Sequence, residues 1–206
     1  MLRKRPLFGV LFMASSVFPL LMVSNTSMAV GGKISFSGNI TEATCTVTPG
    51  GNAGAGGSAN DITLNLGTIS KDDVWLAGTT TAAGSATTFG GLDVSCSGVS
   101  SLTKVKMSFD PQSGSGVDTK DSRLLKLNPE AGVATGVGIA VLDKDNRVLN
   151  LNNSSSDNEM LQGDLTVDGS GNATAKLLLK AGYMANGDAL VAGKANGTLP
   201  FILKYE

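Results

Sequence analysis

Apolar side chains alternate with other residues in two stretches far apart in this chain. The first is Val30, Gly32, Ile34 and Phe36, and the second is Leu199, Phe201, Leu203 and Tyr205. A period of two places each set on one face of a strand, so both stretches are expected to lie in sheets rather than fray in water. Between and around them, short runs with strand character cover Lys33 to Ile40, Thr44 to Thr48, Ile62 to Leu66, Thr88 to Ser95, Lys104 to Phe109, Leu124 to Leu127 and Val137 to Leu142. Four more cover Val148 to Leu151, Asp164 to Val167, Ala173 to Leu179 and Thr198 to Tyr205. Turn residues punctuate the series at Asp110-Pro111, Asn128-Pro129, Asp143 to Asn146 and Asp168 to Asn172. One helical turn is expected around Lys71 to Trp75, and no segment sustains helical periodicity. The Gly/Ala/Ser run from Pro49 to Asn60 is expected to be a flexible loop, because it has too few large side chains to pack a core. Many short strands at even spacing predict an all-β chain, in the form of a β-sandwich.

Composition supports that reading. With 206 residues of which 41% are hydrophobic, the chain has enough apolar surface to bury a core. Charged residues make up 16%, so disorder is not expected.

The beginning of the chain reads as an export signal occupying residues 1–29. Arg3, Lys4 and Arg5 form a basic region, Leu7 to Val23 an apolar one, and Ser27-Met28-Ala29 a cleavage site that leaves Val30 as the first mature residue. Ser15, Ser16 and Pro19 interrupt the apolar run, which argues against a membrane anchor. The formal net charge is −1, and loss of these three basic residues makes the mature chain more acidic. Nucleic acid is therefore not an expected partner.

The only two cysteines are Cys45 and Cys96. In an exported chain an even count is expected to pair, and a bridge closing a loop of this size restricts the unfolded chain. Without a C-x-x-C motif or any histidine, neither a redox nor a metal role is expected, and Ser-His-Asp or Cys-His catalysis cannot be assembled. The carboxylates of Asp72-Asp73, Asp143/Asp145 and Asp157/Glu159 lie in polar, turn-like contexts, where solvated loop carboxylates are the ordinary explanation. Asp143 to Arg147 begins like a calcium loop, but Val148 stands at the turn-glycine position and Ser154 at the position of the bidentate Glu, so a hairpin turn is the better reading. No catalytic residue, metal or cofactor is expected.

Several segments in a particular order then carry a resemblance. Gly31 to Gly38 precedes the first cysteine, Ala134 to Asp143 lies in mid-chain, and Tyr183, Gly193 and Phe201 to Glu206 follow, with Tyr205 penultimate. Together they resemble the chaperone-usher fimbrial subunits, the pilins of the type 1 family, over essentially the whole mature length. The resemblance implies an incomplete immunoglobulin-like β-sandwich (residues 42–206) that lacks its final strand, preceded by a donor-strand extension (residues 30–41). Val30, Gly32, Ile34 and Phe36 would enter the groove of a neighbouring subunit, Gly32 allowing close approach. Leu199, Phe201, Leu203 and Tyr205 would border the groove and, with Gly193 and Glu206, meet a chaperone or neighbour. The carboxylate of Glu206 is the group a basic chaperone cleft would hold, and Cys45 and Cys96 match the subunit disulfide. The implied partners are a periplasmic chaperone, an outer-membrane usher and further subunits in a homopolymer, and the implied location is a fimbrium on the cell surface, reached through the periplasm. The alternative is a self-complete secreted β-sandwich that binds sugars or host surfaces as an adhesin.

Overall fold

The structure, a computed structural model, describes residues 44–51, 53–55, 61–81, 88–98 and 101–206. The expected leader and the segment holding Val30, Gly32, Ile34 and Phe36 lie outside the described residues.

Ten strands are described: β1 (Thr44–Gly51), β2 (Ala53–Ala55), β3 (Ile62–Leu64), β4 (Thr88–Ser97), β5 (Lys104–Phe109), β6 (Val137–Leu142), β7 (Leu161–Asp164), β8 (Thr166–Val167), β9 (Ala173–Ala185) and β10 (Phe201–Tyr205). They form a larger sheet in the order β1-β4-β9-β6, with β8 also on β9, a smaller sheet in the order β10-β5-β7, and a β2-β3 pair. Every pairing between strands is antiparallel. The all-β sandwich expected from the strand spacing is therefore observed. The expected helical turn is a short 3-10 turn at Lys71–Asp73, capped by the Ser70 hydroxyl, which accepts from the Asp72 amide.

The two inner faces share one core. β4 contributes Leu92, Val94 and Cys96, β5 Val105, Met107 and Phe109, β6 Val137, Ile139 and Val141, and β9 Ala173, Ala175 and Leu177. The period of two in each set is the ordinary consequence of the pleat. β6 departs from it, because all six of its residues are buried. Its outward Ala140 and Leu142 lie under a second cluster with Leu124, Val148, Met184 and the half-buried Trp75. Both faces of β6 are covered, which is why its sequence is continuously apolar apart from Gly138.

Chain connectivity closes the sandwich on one side. β7 pairs with β5 in the smaller sheet and β8 with β9 in the larger, with only the buried Leu165 between them. The Leu165 amide donates to the Thr103 carbonyl at 2.8 Å, so the crossing from sheet to sheet is itself pinned.

Several sequence expectations need correction. The run expected to be a flexible loop from Pro49 to Asn60 holds strand structure in its described part: β1 continues through Pro49 to Gly51, and Ala53–Ala55 pairs with Ile62–Leu64. Gly50 opposes Gly91 and Gly51 opposes Gly90, so the ladder continues without side chains to pack. Pro49 is tolerated because β1, among the described residues, stands at the edge of its sheet. Leu124 to Leu127 and Val148 to Leu151 are not strands. They make only isolated bridges, Leu125 to Ile139 and to Val117 and Val148 to Leu142, because each lies across β6 only briefly before turning away. β9 runs on to Ala185, beyond the expected Leu179, because β6 pairs with it from Lys180 to Ala185. Asp143 to Asn146 forms the expected turn: Asn146 adopts a φ of 64° and the Asp143 carboxylate accepts from the Asp145 and Arg147 amides.

Cys45 and Cys96 form a disulfide across directly opposed positions of β1 and β4. It staples the edge strand to its neighbour. Replacing both with Ser should lower stability by up to about 4 kcal/mol, the loop-closure value for this separation. Urea unfolding checks this, and an unchanged midpoint would show that the bridge constrains nothing the fold needs.

Candidate functional site

The side of the sandwich away from the β7-β8 crossing is bordered by β10. This strand forms the end of the smaller sheet, with β5 on one flank and, among the described residues, no strand on the other. Its hydrogen bonds fix which groups face outward. Glu206 and Lys104 exchange both main-chain bonds at 2.9 Å, and the Asp110 amide donates to the Pro200 carbonyl at 2.8 Å. In an antiparallel ladder such pairs alternate, so Ile202 and Lys204 also bond to β5. The N–H and C=O groups of Phe201, Leu203 and Tyr205 therefore point to the free edge.

The side chains of those three residues turn inward. Phe201, Leu203 and Tyr205 are half-buried against the core, while Ile202 and Lys204 are exposed. Together they form one wall of a cleft of about 1070 Å³. The floor comes from the core itself, including Leu92, Met107, Phe109, Ile139, Val141 and Ala181. A further part of the lining is the segment Asp61 to Gly67, which contains β3 and whose Ile62, Leu64 and Leu66 are half-buried against the core. The cleft is thus the sandwich interior reached from one side. It has the chemistry a strand would need: apolar side chains below and, beside them, a backbone edge that no other described strand pairs.

The chain leading into β10 is held at several points. Gly193 approaches the backbone of Gly132 to Ala134 so closely that a Cβ would lie 2.5 Å from the Gly132 carbonyl oxygen. The neighbouring Lys194 amide donates to that same carbonyl, and the Ala134 amide donates to the Lys194 carbonyl, each at 2.8 Å. Tyr183 donates its hydroxyl to the Ala195 carbonyl at 3.0 Å, and burial raises its phenol pKa above the usual value. The Ser115 hydroxyl accepts from the Thr198 amide at 2.7 Å, and the Ser115 amide donates to the Thr198 carbonyl at 2.9 Å. Gly114 lies beneath that carbonyl, where a Cβ would stand 2.2 Å from its oxygen.

The structure brings Leu199, Phe201, Leu203 and Tyr205 together along the cleft. Gly193 lies apart from the cleft lining, packed against backbone, and Glu206 stands at the end of β10 with its side-chain carboxylate 2.9 Å from Lys106 Nζ. Sequence reasoning did not single out the floor residues or the Asp61 to Gly67 segment. Floor residues such as Leu92 and Ile139 have the pattern of ordinary core positions, and only the sheet order reveals that the core is reachable there.

A two-sheet antiparallel domain with an apolar cleft beside β10 belongs to the class of open β-sandwiches of the immunoglobulin-like kind. The comparisons narrow the class. Residues 34–206 match the family described as Fimbrial protein, and the chain belongs to that family. It is 35% identical over 108 residues to long polar fimbria protein A of Salmonella typhimurium, covering 52% of this chain and 53% of that protein. It is 36% identical over 122 residues to the major fimbrial subunit SMF-1 of Stenotrophomonas maltophilia, covering 59% of this chain and 62% of that protein. With the type-1 fimbrial protein, A chain, of Escherichia coli it shares 28% identity over 177 residues, 85% of this chain and 83% of the relative. The matches to the first two relatives thus span little more than half of each.

Gly193→Ala should cost about 1–3 kcal/mol, because the backbone it touches cannot move aside like a flexible side chain. Gly169, which has nothing within 4 Å of a Cβ, is the control, and Gly169→Ala should be nearly neutral. Equal effects of the two substitutions in urea unfolding would remove the close-approach explanation.

Proposed function

We propose that this chain is a structural subunit of a cell-surface fimbria and that it polymerises by donor-strand exchange. One observation carries the reading: the cleft whose wall is Phe201, Leu203 and Tyr205 and whose backbone edge lacks a strand on one flank among the described residues. The segment from Val30 to Phe36 has the complementary pattern. Its alternate residues Ile34 and Phe36 would enter the cleft of the next subunit, each contributing about 1.5–3 kcal/mol on full burial. Gly32 would pass where a side chain would clash, and the segment's own N–H and C=O groups would pair with β10.

The remaining roles follow from that assignment. Residues 1–29 serve as an export signal, and the chain passes through the periplasm, where the disulfide forms. An exposed apolar cleft invites aggregation, so a periplasmic chaperone covers it until an outer-membrane usher passes the subunit to the growing fibre. Leu199, Phe201, Leu203 and Tyr205 meet the chaperone or neighbour directly, and Glu206 offers its carboxylate to a basic cleft. Gly193 acts at one remove, by fixing the path of the chain into β10. The family is structural rather than enzymatic, and assembly needs no catalytic group: a better-packed strand replaces a poorer one.

Two measurements test the reading. A peptide copying Val30 to Ile40, added to the chain lacking Val30 to Ser37, should bind near one to one and raise the thermal midpoint markedly, as ligation of the native state requires. A stable monomer indifferent to the peptide would instead favour a self-complete secreted adhesin. In cells, deletion of Val30 to Ser37 should leave a folded chaperone complex and no polymers, and normal fibres from that deletion would overturn the donor-strand assignment.

A further inference from the structure

The outer face of the smaller sheet holds a charged group that the cleft does not use. Lys106, in the middle of β5, is 9% exposed although it faces away from the core. Its ammonium lies 2.9 Å from Glu206 Oε2 and 3.4 Å from Asp157 Oδ1. Asp157 opens a 3-10 turn, Asp157–Glu159, just ahead of β7, so one cation joins the end of β10 to the strand on the far side of the sheet.

Cross-strand register shows why this matters to β10. Lys106 stands directly opposite Lys204, and like charges directly opposed weaken a pair of strands. Glu206, two residues further along the chain and just past β10, supplies the compensating carboxylate. The same residue is held through its main chain, where its carbonyl oxygen accepts from the Thr103 amide at 2.6 Å and the Lys104 amide at 2.9 Å. The Thr103 hydroxyl adds a longer bond to it at 3.3 Å. Donors on Thr103, Lys104 and Lys106 therefore converge on Glu206, the residue that directly follows the strand. The hydrogen bond to Glu206, opposed by burial and assisted by Asp157, raises the Lys106 pKa above the usual lysine value.

We propose that Lys106 is a positioning residue for strand uptake: by holding Glu206, which follows β10, it fixes the Leu203 to Tyr205 end of the strand on β5, so that the outer edge stands ready for an incoming strand. The proposal rests on the donor-strand reading for its consequence in fibres, but the clamp itself is a property of the single chain. With Lys106 removed, the end of β10 frays from β5, and the edge it offers loses its register.

The test compares the full chain with Lys106→Met, Lys106→Arg and Glu206→Gln by hydrogen exchange resolved to single amides. Exchange at Lys204 and Glu206 should quicken about tenfold in Lys106→Met, a change of about 1.4 kcal/mol in local opening. β9 amides should keep their rates, and Lys106→Arg should restore protection. Glu206→Gln should reproduce the effect, and combining it with Lys106→Met should add little. Glu206→Gln alters a half-exposed side chain, so it remains informative if Lys106→Met fails to fold. Unchanged exchange at Lys204 and Glu206 in Glu206→Gln, or equal loss of protection in β9 and β10, would overturn the clamp. Fibres of Lys106→Met should also dissociate about tenfold faster than wild-type fibres at the same temperature. Absence of wild-type fibres would instead count against the donor-strand reading, leaving the exchange result to judge Lys106.

Discussion

Two sheets packed face to face have two long sides, and the inner faces must be kept from water along both. Here the β7-β8 crossing closes one side, since a single residue, Leu165, separates pairing in one sheet from pairing in the other. On the other side the smaller sheet ends, among the described residues, at β10. A strand edge exposes backbone groups that need partners, and the core behind it exposes apolar surface that needs cover. The two needs coincide in space, because Phe201, Leu203 and Tyr205 present both the open backbone groups and the inward side chains. An added strand would satisfy both at once, whereas a loop laid over the cleft would cover the side chains and leave the edge unpaired.

The constraint explains why so much structure is devoted to placing a five-residue strand. The approach to β10 is fixed by backbone contacts at Gly193 and Gly114, which admit no side chain, and by the Tyr183 hydroxyl on the Ala195 carbonyl. Ser115 secures Thr198 through both its hydroxyl and its amide. Gly193, Gly114 and Ser115 lie outside the cleft lining, whereas Tyr183, Ala195 and Thr198 belong to it, so the bonds that place β10 also set part of the cleft wall.

The sequence was most legible where pattern and burial agree. β5 and β6 have the bounds that the apolar runs predict, because both are central or doubly covered strands. Composition misleads at Pro49 to Gly51. Glycine lacks a side chain to pack, but its backbone pairs as well as any, and Gly50 and Gly51 face Gly91 and Gly90 across the ladder. Leu124 to Leu127 misleads in the opposite way. Leu124 and Leu125 are buried, yet they serve two different clusters, and Leu125 makes isolated bridges to Val117 and Ile139 rather than a strand. The inward residues of β10 were visible from their alternation. The floor of the cleft was not, since Leu92 or Ile139 would have the same pattern in a closed sandwich, and only strand order distinguishes a sealed core from one with an open side.

Lys106 shows how an outer face can act on an inner one. β10 is a single layer, and its side chains alternate between the cleft and solvent, so displacing an outward residue moves the inward neighbours with it. A lysine opposite another lysine is an unfavourable pairing by itself. It becomes useful when a glutamate stands two residues further along the chain, because the attraction then acts at the end of the strand, where fraying begins. The main-chain bonds from Thr103 and Lys104 hold Glu206 from one direction and the Lys106 ammonium from another. A strand bonded on one flank has half the ladder of a central strand, so a charge placed just past its last residue compensates where the ladder is weakest.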